Sequence, residues 1–407
     1  VPAAFPARLA IRDEVLDIAR TLDAAGHEVW CVGGAIRDAL LGQTAAPASL
    51  EASEIDFTTS ATPDEVRRLF KRTVDVGVKY GTVGVLDRRR TLHEVTTFRR
   101  DVETDGRHAV VAYGVSLEED LARRDFTINA IAYHPLRHEW RDPFRGADDL
   151  AARTIRAVGD PAQRFREDYL RILRAIRFAA RFGFHLDADT WAAAKSSAGG
   201  LPQLSAERVR DELFKSFRTA RSIGHLVALW HDVGAAALLV PELGRPAAGG
   251  APFSSAEADR QPRDPIVLVA LLCDAPASVL RRLRASNAEI ARGEAMERLP
   301  AAPADADPVS VRRWLAQVGD AADDLATLWR LRHGADAPWA AVAAAVRTRG
   351  EAVSRGQLAL SGDDLLALGV PRGPQVGEVL ERLLERVVID PALNTRERLT
   401  ALVREER

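Results

Sequence analysis

Residues 8–25 place Leu9, Ile11, Val15, Leu16, Ile18, Ala19 and Leu22 at helical spacing, and Gly26 ends the run. His27 to Val32 is an apolar run that enters Gly33-Gly34 and reads as a strand. Ala35 to Leu41 then predicts a short helix closed by Gly42. Small and polar residues fill 43–54, a loop pattern, and Ile55–Thr59 reads as a short strand. Pro63–Phe70 is helical in pattern, with Thr62 placed to cap it and Pro63 at its first position. Three runs rich in Val and Thr, Thr73–Val76, Thr82–Leu86 and Thr91–Phe98, predict strands. Residues 99–114 are polar and contain glycine, which predicts a mobile loop, and Asp125–Tyr133 returns to a helical pattern.

After Pro143 the strand signal disappears. Asp160 to about Val240 is rich in helical pattern, 241–264 is rich in Pro, Gly, Ala and Ser, and 265–407 is Ala/Leu/Arg-rich helix with Pro and Gly breaks. The expected fold class is therefore an α+β N-terminal head (1–150) with a small mixed sheet, followed by all-α parts. These are a helical domain (151–240), a linker or long loop (241–264) and a helical body and tail (265–407).

Composition narrows this picture. A chain of 407 residues is too long for one ordinary core, and 47% hydrophobic residues exclude wholesale disorder. No run of about 18 apolar residues free of charge occurs, so no membrane association is expected. The first residues lack a signal-peptide core. Two distant cysteines, Cys31 and Cys273, fit a reducing cytoplasm and exclude a disulfide framework or a cysteine zinc site. Cys31, on an apolar strand, reads as a small core residue.

The net charge of −2 argues against a chain that is basic overall. The average hides a patch, however. Residues 153–181 carry eight Arg against three acids, a local surplus of five.

Candidate chemistry begins at Gly33-Gly34. Two glycines between a strand and a helix let the backbone approach a phosphate, with free N–H groups at the helix start and Arg37 for charge. The same dipeptide also serves as a plain tight turn. Glu54 and Asp56, at i and i+2 on a strand, point to one side while Ile55 points to the core. Such a pair suits Mg²⁺, which takes carboxylate and phosphate oxygens; a solvated edge strand is the other reading. Glu94, on the next strand-like run, adds a third carboxylate. Together the three point to two-metal phosphoryl or nucleotidyl transfer.

Arg124 follows, then a helix with Asp168, Arg171, Arg174 and Arg177 outside its apolar face of Phe165, Tyr169, Ile172, Leu173, Ile176 and Ala180. An Asp–Arg pair side by side offers an acceptor and a donor fork. It can read the exocyclic amine and ring nitrogen of cytosine or adenine and reject uracil and guanine. Arg174 and Arg177 are then expected to face a triphosphate. A solvated helix with an i,i+3 ion pair is the plainer alternative. Leu170 and Phe178 fall on the polar side, which predicts that this side also packs.

The motifs, in order, are Gly33-Gly34-Ala35-Ile36-Arg37-Asp38, Glu54-Ile55-Asp56-Phe57-Thr58-Thr59, Gly81-Thr82-Val83, Glu94-Val95-Thr96-Thr97-Phe98-Arg99, Arg124-Asp125-Phe126-Thr127-Ile128-Asn129-Ala130, Glu167-Asp168 with Arg171, Arg174 and Arg177, and Glu207-Arg208-Val209-Arg210-Asp211-Glu212-Leu213. They resemble the class II tRNA nucleotidyltransferases, the family of CCA-adding enzymes and bacterial poly(A) polymerases. The resemblance implies a head, neck, body and tail, and addition of C, C and A to the tRNA 3′ end from CTP and ATP with Mg²⁺. By position it assigns Gly34, Arg37, Arg124, Asp168, Arg171, Arg174 and Arg177 to the nucleotide, and Glu54 and Asp56 to metal. Two features depart from the family pattern: Glu54 where Asp is usual, and a longer loop at 43–53.

Within the family, segment 64–90 lacks the Arg-rich signature of poly(A) polymerases, and the end of the chain, Arg396–Arg407, mixes both charges. The retained 99–113 loop distinguishes the chain from enzymes that add only CC. The expectation is full CCA addition. Poly(A) or A-only addition on the same fold, and a non-catalytic RNA-binding relative with an altered metal site, are the alternatives. His231-Asp232 resembles a metal-phosphohydrolase doublet, but the nine His supply no matching set of further ligands.

Overall fold

The structure, a computed structural model, describes residues 5–42, 54–77, 80–104, 109–244, 255–298 and 301–405. The predicted loop 43–53 and the middle of the predicted linker, 245–254, lie outside the described residues, as do 105–108. The chain forms two compact units, Val1–Pro241 and Glu242–Arg407.

In the first unit the chain runs α1 (Asp13–Ala24), β1 (Val29–Val32), α2 (Gly34–Gly42), β2 (Asp56–Thr59), α3 (Pro63–Leu69), β3 (Thr73–Gly77), β4 (Thr82–Leu86), β5 (Leu92–Thr97), β6 (Arg99–Thr104), β7 (Ala109–Tyr113), α4 (Leu117–Ala122), β8 (Ala132–His134), β9 (Glu139–Arg141) and α5 (Gly146–Ala151). Seven strands form one mixed sheet in the order β3-β4-β5-β2-β1-β8-β9. β2 pairs antiparallel with β1 and parallel with β5. The α+β head predicted from alternation is thus present. The expected α3 start is also present: Thr62 and Glu65 form a reciprocal capping box, with Pro63 in the first turn. Thr62→Ala is expected to cost about 1 kcal/mol, read as a lower midpoint in denaturant.

Three local expectations are corrected. Residues 99–104 and 109–113 pair as the antiparallel strands β6 and β7, where a loop was expected; Val110, Val111 and Tyr113 favour strand. Asp125–Tyr133 is not a helix. It holds a single 3₁₀ turn, Thr127–Asn129, before β8, because Ala132 and Tyr133 join the sheet between β1 and β9. Strand structure also recurs after Pro143, as the short parallel pair β10 (Thr154–Ile155) and β11 (His185–Leu186).

Helices α6 (Pro161–Glu167), α7 (Leu170–Phe182), α8 (Ala188–Ser197), α9 (Ala206–Thr219), α10 (Ile223–Asp232) and α11 (Ala235–Leu239) complete this unit. The apolar face predicted for 165–180 is buried at Phe165, Ile172, Leu173, Ile176 and Ala180. It is carried by two helices rather than one, since Asp168 is extended at φ −156° and ψ 105°.

The second unit is helical: α12 (Ser255–Ala258), α13 (Pro265–Leu272), α14 (Pro276–Arg282), α15 (Asn287–Arg298), α16 (Pro308–Val318), α17 (Ala322–His333), α18 (Ala340–Thr348), α19 (Gly362–Ala367), α20 (Pro374–Ile389) and α21 (Arg396–Glu405). One core gathers Val311, Trp314, Leu315 and Trp339, another Leu365, Leu383, Val387 and Leu399. Arg312 ties them together by donating to the Val388 and Ile389 carbonyls at 2.6 and 3.2 Å. Among the described residues no helix is long and apolar enough to cross a membrane.

Candidate active site

The site is set by sheet register. Val32, the last residue of β1, lies opposite Asp56, the first of β2. Cross-strand partners share a face, so Asp56 stands beside the Gly33-Gly34 turn that follows Val32. Phe57 is paired with Val95, and one residue earlier in the same register Asp56 neighbours Glu94. Both are exposed, while Ile55, Phe57, His93 and Val95 are buried. The alternation predicted from sequence is therefore present. One detail differs: the hydrogen-bonded strand starts at Asp56, and Glu54 lies just ahead of it.

Gly33 has φ +78°, which a side chain strains. A Cβ there would sit 3.2 Å from Asp56 Oδ2 and 3.6 Å from Arg124 Nη1. The turn, the carboxylate and the guanidinium therefore meet at one point. Gly33→Ala is expected to cost about 1–2 kcal/mol of stability from the left-handed backbone. It should also weaken binding of a phosphate ligand at the turn about tenfold, measured as Kd, the equivalent of 1.4 kcal/mol. Helix α2 begins at Gly34, and its first N–H groups point to the same place.

Asp56 is open to solvent along one side but crowded by protein on the others. Burial and the adjacent Glu94 and Glu54 push its carboxyl up to about 6, against the pull of Arg124. Converging carboxylates that resist ionising together are the donor chemistry that a divalent cation relieves. Among the described residues no group of three or more His, Cys, Asp or Glu side chains is placed to hold a metal ion by itself. Mg²⁺ does not need one, since it is held by one or two carboxylates plus substrate phosphates.

Arg124 is held between acids. Its Nη2 lies 3.5 Å from Asp120 Oδ2, and its own deep burial lowers its pKa. Asp120 was not singled out in the sequence. It is fully buried, accepts from Thr58 Oγ1 at 3.0 Å and pairs with Arg123 at 2.9 Å. The signal was faint: an acid on the apolar side of α4, between Leu117 and Leu121.

Asp168 and Arg171 each have other protein partners. Asp168 Oδ2 accepts from Arg208 Nη2 at 2.7 Å and its Oδ1 from the Leu170 N–H at 3.0 Å. Arg171 donates to Glu167 Oε2 at 2.8 Å and to the Arg164 and Arg123 carbonyls at 3.0 Å each.

Arg174 pairs with Asp125 at 2.6 Å. Arg177 is buried, paired with Glu212 and 4.2 Å above the Phe178 ring. Arg37 is buried too. It donates to Asn129 Oδ1 at 2.6 Å, pairs with Asp38 at 2.8 Å and lies over Phe178 and Phe182. Arg37, Arg174 and Arg177 therefore each have protein partners. The surplus of Arg in 153–181 is cancelled in space by acids from outside it: Asp38, Asp125, Asp149, Asp187 and Glu212. Phe178, on the polar side of α7, is what those guanidiniums pack on.

Residues 29–156 match the poly A polymerase head domain family, and 183–244 match the family described as the probable RNA and SrmB-binding site of polymerase A. The CCA-adding enzyme of Levilactobacillus brevis is 46% identical over 202 residues, 49% of this chain and 48% of the relative. That of Geobacillus thermodenitrificans is 45% identical over 204 residues, 50% of this chain and 48% of the relative. The chain thus spans about half the length of the curated relatives it matches. Along its whole length, the chain is similar to the Bacillus stearothermophilus CCA-adding enzyme solved in complex with CTP. Identity is 32%, the TM-score is 0.78, and 97% of each chain is covered.

The chain belongs to the CCA-adding enzyme family. This nucleotidyltransferase fold implies dependence on a divalent metal. The head-domain match covers the Gly33-Gly34 turn and Glu54, Asp56 and Glu94. The second family match covers Glu212 and Arg208, the partners of Arg177 and Asp168.

Proposed function

We propose that this chain adds C, C and A to the 3′ end of tRNA from CTP and ATP, without a nucleic-acid template, using Mg²⁺. The observation that carries the reading is the meeting of Asp56, Glu94 and Arg124 at the Gly33-Gly34 turn. Similarity over the full chain to an enzyme solved with CTP supports it.

In this reading the tRNA 3′-hydroxyl oxygen attacks the α-phosphorus, the bond to pyrophosphate breaks, and pyrophosphate leaves. Glu54 and Asp56 hold the cation. When bound, it supplies charge neutralisation at the phosphate and a more acidic hydroxyl. Glu94 accepts the hydroxyl proton. The N–H groups at the start of α2, together with Arg124, bind the phosphates. Asp168 and Arg171 select cytosine or adenine once their contacts with Arg208 and Glu167 are exchanged for the base edge.

The direct test is incorporation of labelled CTP and ATP into tRNA lacking its CCA end, with Mg²⁺. Both nucleotides are expected in a fixed short tail. Long tails from ATP alone would identify a poly(A) polymerase. Binding of tRNA without any incorporation would identify a non-catalytic relative.

A further inference from the structure

His93 is fully buried on β5, one residue before Glu94 and on the opposite face of the sheet. Its ring packs edge-on against Phe57, at 6.2 Å between centroids. Its Nδ1 accepts the Ile55 backbone N–H at 3.1 Å. That N–H needs such a partner. The β1–β2 ladder runs only as far as the Val32–Asp56 pair, and the β2–β5 pairing begins at Phe57–Val95. Ile55 thus lies just beyond both ladders and is fully buried, where an unpaired N–H is costly.

The other ring nitrogen is fixed as well. Nε2 lies 3.4 Å from Asp87 Oδ2. Asp87 is locked in the β4–β5 turn, where its Oδ1 accepts the Arg89 and Thr91 N–H groups at 2.8 Å each. Since Nδ1 must accept, the proton sits on Nε2 and donates to Asp87. A rigid turn therefore reaches through Asp87 and His93 to the one backbone N–H that lies between Glu54 and Asp56.

We propose that His93 is a positioning residue: it pins the backbone at Ile55 and thereby fixes the spacing of the Glu54 and Asp56 carboxylates. The proposal rests on the assignment of that pair to the divalent cation. Outer partners that orient ligands change metal affinity about 10–100-fold, so a comparable loss is expected when the acceptor is removed.

The test is Mn²⁺ titration of the full chain, followed by the signal of the free ion, together with the Mg²⁺ half-saturation of CTP incorporation. His93→Phe fills the space without an acceptor. It is expected to weaken Mn²⁺ about tenfold and to raise the Mg²⁺ requirement similarly, with KM for CTP little changed. His93→Asn sets an oxygen at the Nδ1 position and should recover most of the loss. His93→Gln, whose oxygen falls at the Nε2 position, should not. If His93→Phe does not fold, the Asn and Gln variants decide alone. Equal Mn²⁺ affinity in those two, or wild-type affinity in His93→Phe, overturns the proposal. Asp56→Asn separates this failure from that of the metal assignment. If it binds Mn²⁺ as tightly as the wild type, the assignment itself fails, whatever the His93 variants do.

Discussion

Asp56→Ala is expected to lower nucleotide incorporation by at least about a thousandfold, the equivalent of roughly 4 kcal/mol of transition-state stabilisation. Its melting temperature should hold or rise. The two effects have one cause. Burial, Glu94 and Glu54 all work against a charge on Asp56, so the folded protein at neutral pH holds it at a cost. Removing the carboxylate removes the cost and, in the proposed reading, the cation's ligand together. This trade of stability for function is common where an active site concentrates like charge. Single-turnover incorporation into tRNA lacking CCA, beside a thermal melt, checks both halves. Turnover within tenfold of wild type would remove Asp56 from the metal site. A large drop in melting temperature would make it a structural residue.

The elements that carry this site were legible because their signals are local. Period-two alternation placed Ile55 inside and Glu54 and Asp56 outside. A Gly-Gly dipeptide after an apolar run marked the turn, and Thr62-Pro63 marked the start of α3. The register that sets Glu94 beside Asp56 needed only the guess that β2 and β5 are neighbours. What could not be read depends on residues far apart in sequence. Asp168 faces Arg208 and Arg177 faces Glu212, 40 and 35 residues away. Helical spacing placed Arg177 off the apolar face but not the carboxylate it meets, and it treated Asp168 as helical. In fact Asp168 is extended, and α7 starts at Leu170. His93 gave no signal at all, because its role is to fill a gap in a hydrogen-bond ladder that exists only once the sheet is formed.

The charge balance changes meaning on the same ground. A surplus of five over 153–181 suggested a local positive field. Each of Arg156, Arg174, Arg177 and Arg181 instead finds a carboxylate from another segment. Three of those acids, Asp38, Asp125 and Asp149, lie before residue 151. The arginines of α7 therefore act first as a seam that holds the helical part of the first unit to the sheet-bearing part. Arg37 contributes from the other side, stacked on Phe178 and Phe182.

Asp125 is the residue on which that seam depends most, and Asp125→Ala is expected to cost about 3–5 kcal/mol, since truncation leaves two buried donors without an acceptor, the Phe126 N–H and the Asn129 amide, and takes the partner from Arg174. Its Oδ1 accepts from the Phe126 N–H at 2.8 Å and from Asn129 Nδ2 at 2.9 Å. Its Oδ2 accepts from Arg174 Nε at 2.8 Å. Asn129 in turn accepts from Arg37 at 2.6 Å, so one carboxylate anchors both guanidiniums. Burial alone would raise its pKa. Arg174, Asn129 and the Phe126 N–H overcome burial and hold it down at about 2.

The folded value lies below the unfolded one. The stabilisation is therefore complete above about pH 4 and is lost as pH falls through about 2, a change of roughly 2 kcal/mol. Asp125→Asn keeps the shape but not the charge. It should lose about that amount at neutral pH and then show a flatter stability between pH 4 and 2 than the wild type. Denaturant midpoints at pH 7, 4 and 2.5 for wild type and both variants decide the matter. If Asp125→Asn falls as steeply with acid as the wild type, the acid sensitivity belongs to another carboxylate. If Asp125→Ala costs less than about 1 kcal/mol, the size of a surface ion pair, the seam is held by Arg177 and Glu212 instead.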